Sequence, residues 1–364
     1  MLLVAVTAID LCVANGWLVA TAREDRLLDE WGMGSVFNMM RPLGIRGAHV
    51  TRVFRGTEWL PGEWEQTSSS ERLAESLTWD QATLFPKHHL RWGISLIESP
   101  GTLDSLDYRV FLNVAREFGP RRTDGAREPA SAALDVLSAQ YYLLPAHRGG
   151  LVAEGPPLLE REVIDKWGTT IVTRDPHALP RAWIVRNVEL LPPLTNSSVA
   201  ANERRAREVL APDGKLRDWR QSVVIEAEVF DYGLSDDPET RPAADGGETC
   251  RIDVDEPNRV DIAVELSRPG IVVLSDSFYR GWTAKVTSPG NARGREIPVL
   301  RANRVLRAVA LPAGRHRVSF TYQPRNFLFG AALSGGGWAI LAVIWIGRLL
   351  LNAKAQRRRG AEKK

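Results

Sequence analysis

Four aromatic side chains in two short clusters are the residues best suited to hold a sugar. Trp59 and Trp64 stand in "TEWLPGEWEQ", and Tyr279 and Trp282 in "SDSFYRGWTAKV" (275–286). Flat aromatic faces offer large apolar area, and the Tyr and Trp tips carry hydrogen-bonding groups for hydroxyls. Arg280 lies within the second cluster, and Arg301 and Asn303 follow in "LRANRV". A guanidinium or carboxamide there could bond hydroxyls or the phosphate of a polymer. Each residue also has a plainer reading. Trp282 reads first as a core plug beneath the turn at Gly281, where glycine permits close approach. Trp59 and Trp64, beside Pro61-Gly62, would serve core packing as well as ligand contact.

Other chemistry is thinly represented. His88 and His89 are adjacent, so on a strand their rings point to opposite faces, which disfavours a shared metal ion. Asp253 and Asp255 stand two apart in a strand-like pattern and so are expected to share a face. A carboxylate pair can serve glycoside hydrolysis, but alternation with Ile252 and Val254 reads as a solvated sheet face. No Gly-rich phosphate loop, G-x-S-x-G elbow or spaced metal-ligand set occurs in the 364 residues. The two cysteines, Cys12 and Cys250, lie in segments of different character, which argues against a disulfide framework. No cofactor is expected.

The elements that must position these residues are membrane helices and a large domain between them. Residues 327–351, "FLFGAALSGGGWAILAVIWIGRLLL", carry one charge, Arg348, and are long enough to cross a ~30 Å hydrocarbon core. "NAKAQRRRGAEKK" follows. From Arg348 onward, seven Lys/Arg stand against Glu362, a net of +6 that leaves −3 for the rest of a chain whose total is +3. The positive-inside rule then places the tail in the cytoplasm and the domain outside it, and the remainder presents no basic face for nucleic acid. "MLLVAVTAIDLCVANGWLVATA" is apolar but contains Asp10 and lacks a basic start. It reads as the exit end of a transmembrane helix rather than a signal peptide, although Ala20-Thr21-Ala22 resembles a cleavage site.

Between them, the first half mixes helix and strand. "TSSSERLAESLTWDQATL" has a Ser-rich cap, and "TLDSLDYRVFLNVAREFG" places Leu106, Val110 and Val114 at helical spacing before Gly119. "PASAALDVLSAQYYLLP" is expected to pass from helix to strand, and "WGISLI" and "TTIVT" to be strands. Beyond Pro180 the pattern turns to β. "RVDIAVELS" alternates with period two, "IVVLSDS" is a run of apolar strand, and Pro312-Ala313-Gly314 makes a hairpin loop. The expected class is α+β: a mixed α/β membrane-proximal region plus an antiparallel β-sandwich, followed by a C-terminal transmembrane helix. The boundaries are 1–22, helix end; 23–179, mixed α/β; 180–325, β-sandwich; 326–351, transmembrane helix; and 352–364, basic tail.

The stretch "IVVLSDSFYRGWTAKV…IPVLRANRVLRAVALPAGRHRVSFTYQP", with a final membrane helix, resembles the C-terminal end of the YfhO-type bacterial membrane proteins. "HALPRAWIV" (177–185) and "AIDLCVANGWLV" also fit that pattern. Where the family usually has Tyr-Pro-Gly-Trp, this chain has Tyr279-Arg280-Gly281-Trp282, and "SPGNARGRE" lengthens the following hairpin. The family is similar to the GT-C glycosyltransferases, which transfer sugars outside the cytoplasm from polyprenyl-phosphate donors. The resemblance implies an acceptor-binding or structural region of such a protein in the plasma membrane, with catalysis in a membrane region outside this chain. No catalytic residue corresponds. The partners implied are the lipid bilayer and an envelope glycan, or a polyprenyl-phosphate-sugar reached through the membrane region. The alternative is a membrane-anchored β-domain for envelope interactions without sugar chemistry.

Overall fold

The computed structural model describes residues 52–361 apart from 57–59, 62–63, 65, 86–88, 91–92, 99–104, 122–126, 146–161, 168–169, 229–246 and 290. Trp59, His88 and the proposed helix end at 1–22 lie outside the described residues.

In chain order the first elements are β1 (Arg52–Arg55), α1 (Arg72–Ala82), β2 (Ser95–Leu96), α2 (Leu106–Glu117), α3 (Ser131–Val136), β3 (Tyr141–Pro145), β4 (Glu162–Trp167) and β5 (Thr170–Arg174). There follow β6 (Ala182–Val185), β7 (Asn187–Leu191), α4 (Val199–Leu210), β8 (Ser222–Glu226), β9 (Thr249–Glu256), β10 (Arg259–Leu266), β11 (Gly270–Ser277) and β12 (Trp282–Ser288). The last are β13 (Asn291–Ile297), β14 (Leu300–Ala302), β15 (Leu306–Leu311), β16 (Gly314–Tyr322) and α5 (Arg325–Ala361). The described residues form a mixed α+β fold with three sheets, ordered β2-β1-β3-β5-β4, β13-β12-β16-β10-β9 and β6-β11-β15-β14-β8-β7.

Local chemistry explains the expected elements. Ser105 caps α2 by accepting the Tyr108 N–H, and the apolar stripe Val110, Phe111 and Val114 turns into the core. In β10 the alternating Val260, Ile262, Val264 and Leu266 are all buried. Gly314, at φ +119, supplies the left-handed residue of the loop that leads into β16. Two features depart from the simple strand pattern. The β7–β8 pair runs parallel, so the third sheet is not purely antiparallel. In β9 the register jumps from Val254 opposite Asp261 to Ile252 opposite Ile262, leaving Asp253 in a bulge. That extra residue breaks the period-two alternation, so Asp253 and Asp255 do not share a face.

The two faces of β11 belong to different cores. Ile271 and Val273 join Phe54, Phe111, Leu134, Val209 and Ile225 in one cluster, together with α2, α3 and α4. Val272 and Leu274 join Val260, Val286, Val318 and Phe320 in another, against the sheet that contains β12 and β16. A third cluster holds Val53, Trp79, Leu84 and Leu143. Among the described residues, one helix is long and apolar enough to cross a membrane: the stretch Phe329–Arg348 of α5. Its large apolar side chains are exposed, from Ile346 at 50% to Trp338 at 74%.

Candidate functional site

The ladder of β11 against β15 is regular as far as Leu274 opposite Arg307, then shifts so that Ser277 faces Leu306. Ser275 and Asp276 occupy the irregularity, and bulges of this kind re-aim side chains. The Ser275 N–H donates to the Arg181 carbonyl at 2.7 Å, one step beyond the Leu274–Ala182 pair of β11 with β6. Ser275 Oγ donates to the Val136 carbonyl at 3.0 Å, while Asp276 points into a cluster of arginines.

Arg181, just before β6, grips Asp276 with two parallel hydrogen bonds, from Nε at 2.9 Å and Nη2 at 3.0 Å, and also pairs with Asp255. Arg307 Nη2 donates to Asp276 Oδ2 at 2.6 Å. Arg52, from the start of β1, donates to Asp276 Oδ1, the Ser275 carbonyl and, at 3.1 Å, the Leu137 carbonyl. The cluster thus joins strands of all three sheets and the end of α3. Three guanidiniums meet two carboxylates, a net charge of +1, in a place where Arg307 is 3% and Asp276 9% exposed.

Burial alone would raise the Asp276 carboxyl, but the charges of Arg52 and Arg181, with Arg307 behind them, hold it well below the usual carboxylate range. Arg307 is pushed down to about 10, chiefly by burial; Asp276 opposes this, and Arg181 and Arg52 add repulsion. Its guanidinium also lies 3.7 Å from the centre of the Trp282 ring and 5.5 Å from that of Phe320, close enough for cation–π attraction.

A pocket of ≈ 240 Å³ opens beside Arg307, lined also by Arg52, Arg181, Asp255, Trp282 and, at its exposed rim, Glu256. A second, of ≈ 180 Å³, shares Arg52 and Ser95 with the first and is rich in hydroxyls, with Ser105, Tyr108, Ser277 and Tyr279 among its walls.

Of the residues singled out from sequence, Tyr279 and Trp282 are thereby brought to neighbouring pockets. Tyr279 is 45% exposed. Trp282 is half-buried, tilted against Tyr322 with ring centres 5.2 Å apart. Arg280 is exposed on the turn between them. Gly281, at φ +108, makes that turn, and a Cβ there would stand 3.2 Å from the Tyr322 ring.

Arg301 and Asn303 serve a different cluster. Arg301 pairs with Asp107 at 2.7 Å and lies over the Phe278 ring. Asn303 is wholly buried in a left-handed turn, φ +46, where its Oδ1 accepts the Val224 N–H at 2.9 Å. The next residue, Arg304, pairs with Glu226 and Asp107. Trp64 belongs to the third core, edge-on to Trp79 at 6.2 Å and covered by Arg72. His89 is buried, and the described residues contain no group of three or more His, Cys, Asp or Glu placed to hold a metal ion.

Sequence reasoning overlooked Arg52, Arg181, Asp276 and Arg307, and it assigned to a solvated face Asp255, whose side chain is 8% exposed and paired with Arg181. A signal was present: Asp276 interrupts "IVVLSDS" and Arg307 interrupts "VLRAVAL", and opposite charges set in two apolar strands require burial with a partner. Scans of protein-family models, curated proteins and solved structures give no match to this chain.

Proposed function

We propose that this chain is the extracytoplasmic C-terminal region of a YfhO-type, glycosyltransferase-like protein of the plasma membrane. Its role is to hold or orient an envelope glycan while a membrane region outside this chain performs transfer from a polyprenyl-phosphate-sugar. The finer architecture belongs to this proposal: the sheets containing β10–β12 and β15–β16 act as a β-sandwich, α5 spans the bilayer, and the basic tail is cytoplasmic.

The observation that carries the reading is the placing of Tyr279 and Trp282 at the walls of two adjoining pockets. One pocket offers hydroxyls and the other guanidiniums, the partners a polar saccharide needs beside an aromatic face. Arg181, Asp276 and Arg307 all fall within the stretches that carry the family resemblance. A second reading, a membrane-anchored β-domain for envelope protein contacts, draws support from Arg301, already paired with Asp107, and from Asn303, which is wholly buried with its oxygen on the Val224 N–H.

The test is a titration of the full chain in detergent micelles with envelope polysaccharides. Saturable binding, weakened at least tenfold by Tyr279→Ala with Trp282→Phe, is the expected result. Absence of saccharide binding removes the glycan reading and leaves the second. Topology has its own check: a reporter fused after residue 364 and active only outside the cytoplasm should stay silent.

A further inference from the structure

The hydroxyl-rich pocket is walled by three separate stretches of chain. β2 brings Ser95 and Leu96, the start of α2 brings Ser105 and Tyr108, and the end of β11 with the corner after it brings Ser277 and Tyr279. Its ≈ 180 Å³ is well beyond the ~10–15 Å³ that one water requires, so a ligand of several atoms has room. Among the described residues, no hydrogen-bond partner engages Ser95 Oγ, Ser277 Oγ or the Tyr279 hydroxyl. Ser105 Oγ accepts the Tyr108 N–H at 3.2 Å and keeps its own hydrogen to donate.

This wall offers no usable charge. Among the described residues that line it there is no carboxylate, and Arg52 is the one cation. The Arg52 Nη atoms are committed to Asp276 and to the Ser275 and Leu137 carbonyls, and its Nε is buried out of reach. An anion here would lose water with no free cation to replace it. A neutral alcohol both donates and accepts, as the wall itself does. The exposed Tyr279 ring adds an apolar face for C–H groups. The adjoining pocket, where Arg52, Arg181 and Arg307 stand against Asp255, Glu256 and Asp276, has no excess charge either.

We infer that the hydroxyl-rich pocket receives one uncharged polyhydroxyl unit, a neutral hexose of the envelope glycan, through Ser95, Ser277 and Tyr279. This assignment rests on the glycan reading and adds to it the kind of unit recognised and the wall that recognises it. A glycerol unit of a polymer backbone carries the same groups without the ring, so it is the natural competitor.

Ligand-observed NMR titration of the full chain, in micelles of a detergent without a sugar headgroup, would use glucose, galactose, N-acetylglucosamine, glucuronate and glycerol beside an envelope polysaccharide. At least one neutral sugar should bind saturably and displace the polysaccharide, with glucuronate and glycerol weaker by roughly tenfold. Ser95→Ala with Ser277→Ala should weaken that sugar by roughly tenfold, since two hydrogen bonds are lost. Should the double variant not fold, Tyr279→Phe, which removes one exposed hydroxyl, must weaken it instead. Polysaccharide binding that no neutral sugar displaces, or that the serine variant leaves unchanged, would overturn the inference and leave the glycan reading standing. Glucuronate or glycerol binding as tightly as the best neutral sugar would overturn it too. Silence with every saccharide removes both.

Discussion

Arg307 stacks 3.7 Å from the centre of the Trp282 ring while its Nη2 donates to Asp276 at 2.6 Å. The aromatic corner and the buried charge cluster are therefore one unit. Trp282 is neither a plain core plug nor a free platform: one face is committed to a cation, and its flank borders the pocket.

That relationship is measurable. In a double-mutant cycle, Trp282→Leu and Arg307→Gln should couple by about 1–2 kcal/mol, as expected for a partly desolvated cation–π pair. Equilibrium unfolding followed by far-ultraviolet circular dichroism gives the four free energies. Additive losses would show that the stacking contributes nothing.

Asp276→Asn should destabilise the fold by about 3–5 kcal/mol, because three arginines would be left facing Asp255 alone. The pH dependence has a definite sign. The Asp276 pKa is depressed in the folded state, so its contribution is full above the unfolded carboxyl value of about 4 and fades as pH falls below it. The native protein should thus lose stability between pH 4 and pH 2 more steeply than Asp276→Asn. Parallel acid melts of the two proteins check this.

Gly281→Ala should cost about 1–3 kcal/mol through backbone strain at φ +108. The added Cβ would also crowd the Tyr322 ring and Pro324 Cα, at 3.2 and 3.3 Å. Thermal unfolding should fall by several degrees, whereas Arg280→Ala, at the exposed neighbouring position, should leave it near the native value.

Cys250 is a poor nucleophile here, since burial pushes its thiol up to about 12 from an ordinary 9. At pH 8 the thiolate is then about a thousandfold scarcer than for a free cysteine. In a Cys12→Ser background, iodoacetamide should label the native protein far more slowly than the urea-unfolded chain. Comparable rates would contradict the burial of this residue.

What could be read from sequence was whatever repeats locally. The β10 alternation, the helical spacing of Leu106, Val110 and Val114 and the Gly314 turn depend on residues a few positions apart, and each appears in the structure; the Ser-rich cap read before α1 does not, since its N-cap is Glu71 with no side-chain bond. The charge cluster depends on Arg52 reaching Asp276 across 224 positions, and no periodicity records such a pairing. Bulges defeated the rest. One extra residue at Asp253 separates it from Asp255, and the irregularity at Ser275–Asp276 turns a carboxylate inward from a strand that reads as apolar. Asn303 shows the limit from the other side. A carboxamide in a polar stretch looks available for a ligand, yet the left-handed turn buries it and commits its oxygen to the Val224 N–H.

Only Gln323 and Pro324 separate β16 from α5, and the Gln323 N–H donates to the Gly281 carbonyl at 2.9 Å. The corner is thus tied to the two-residue link that leads directly into the apolar helix. If α5 enters a bilayer, Trp282 and its pocket lie close to the point where the chain meets the lipid headgroups. A reach measured from the membrane, rather than from the sheet, would then decide which ligands arrive.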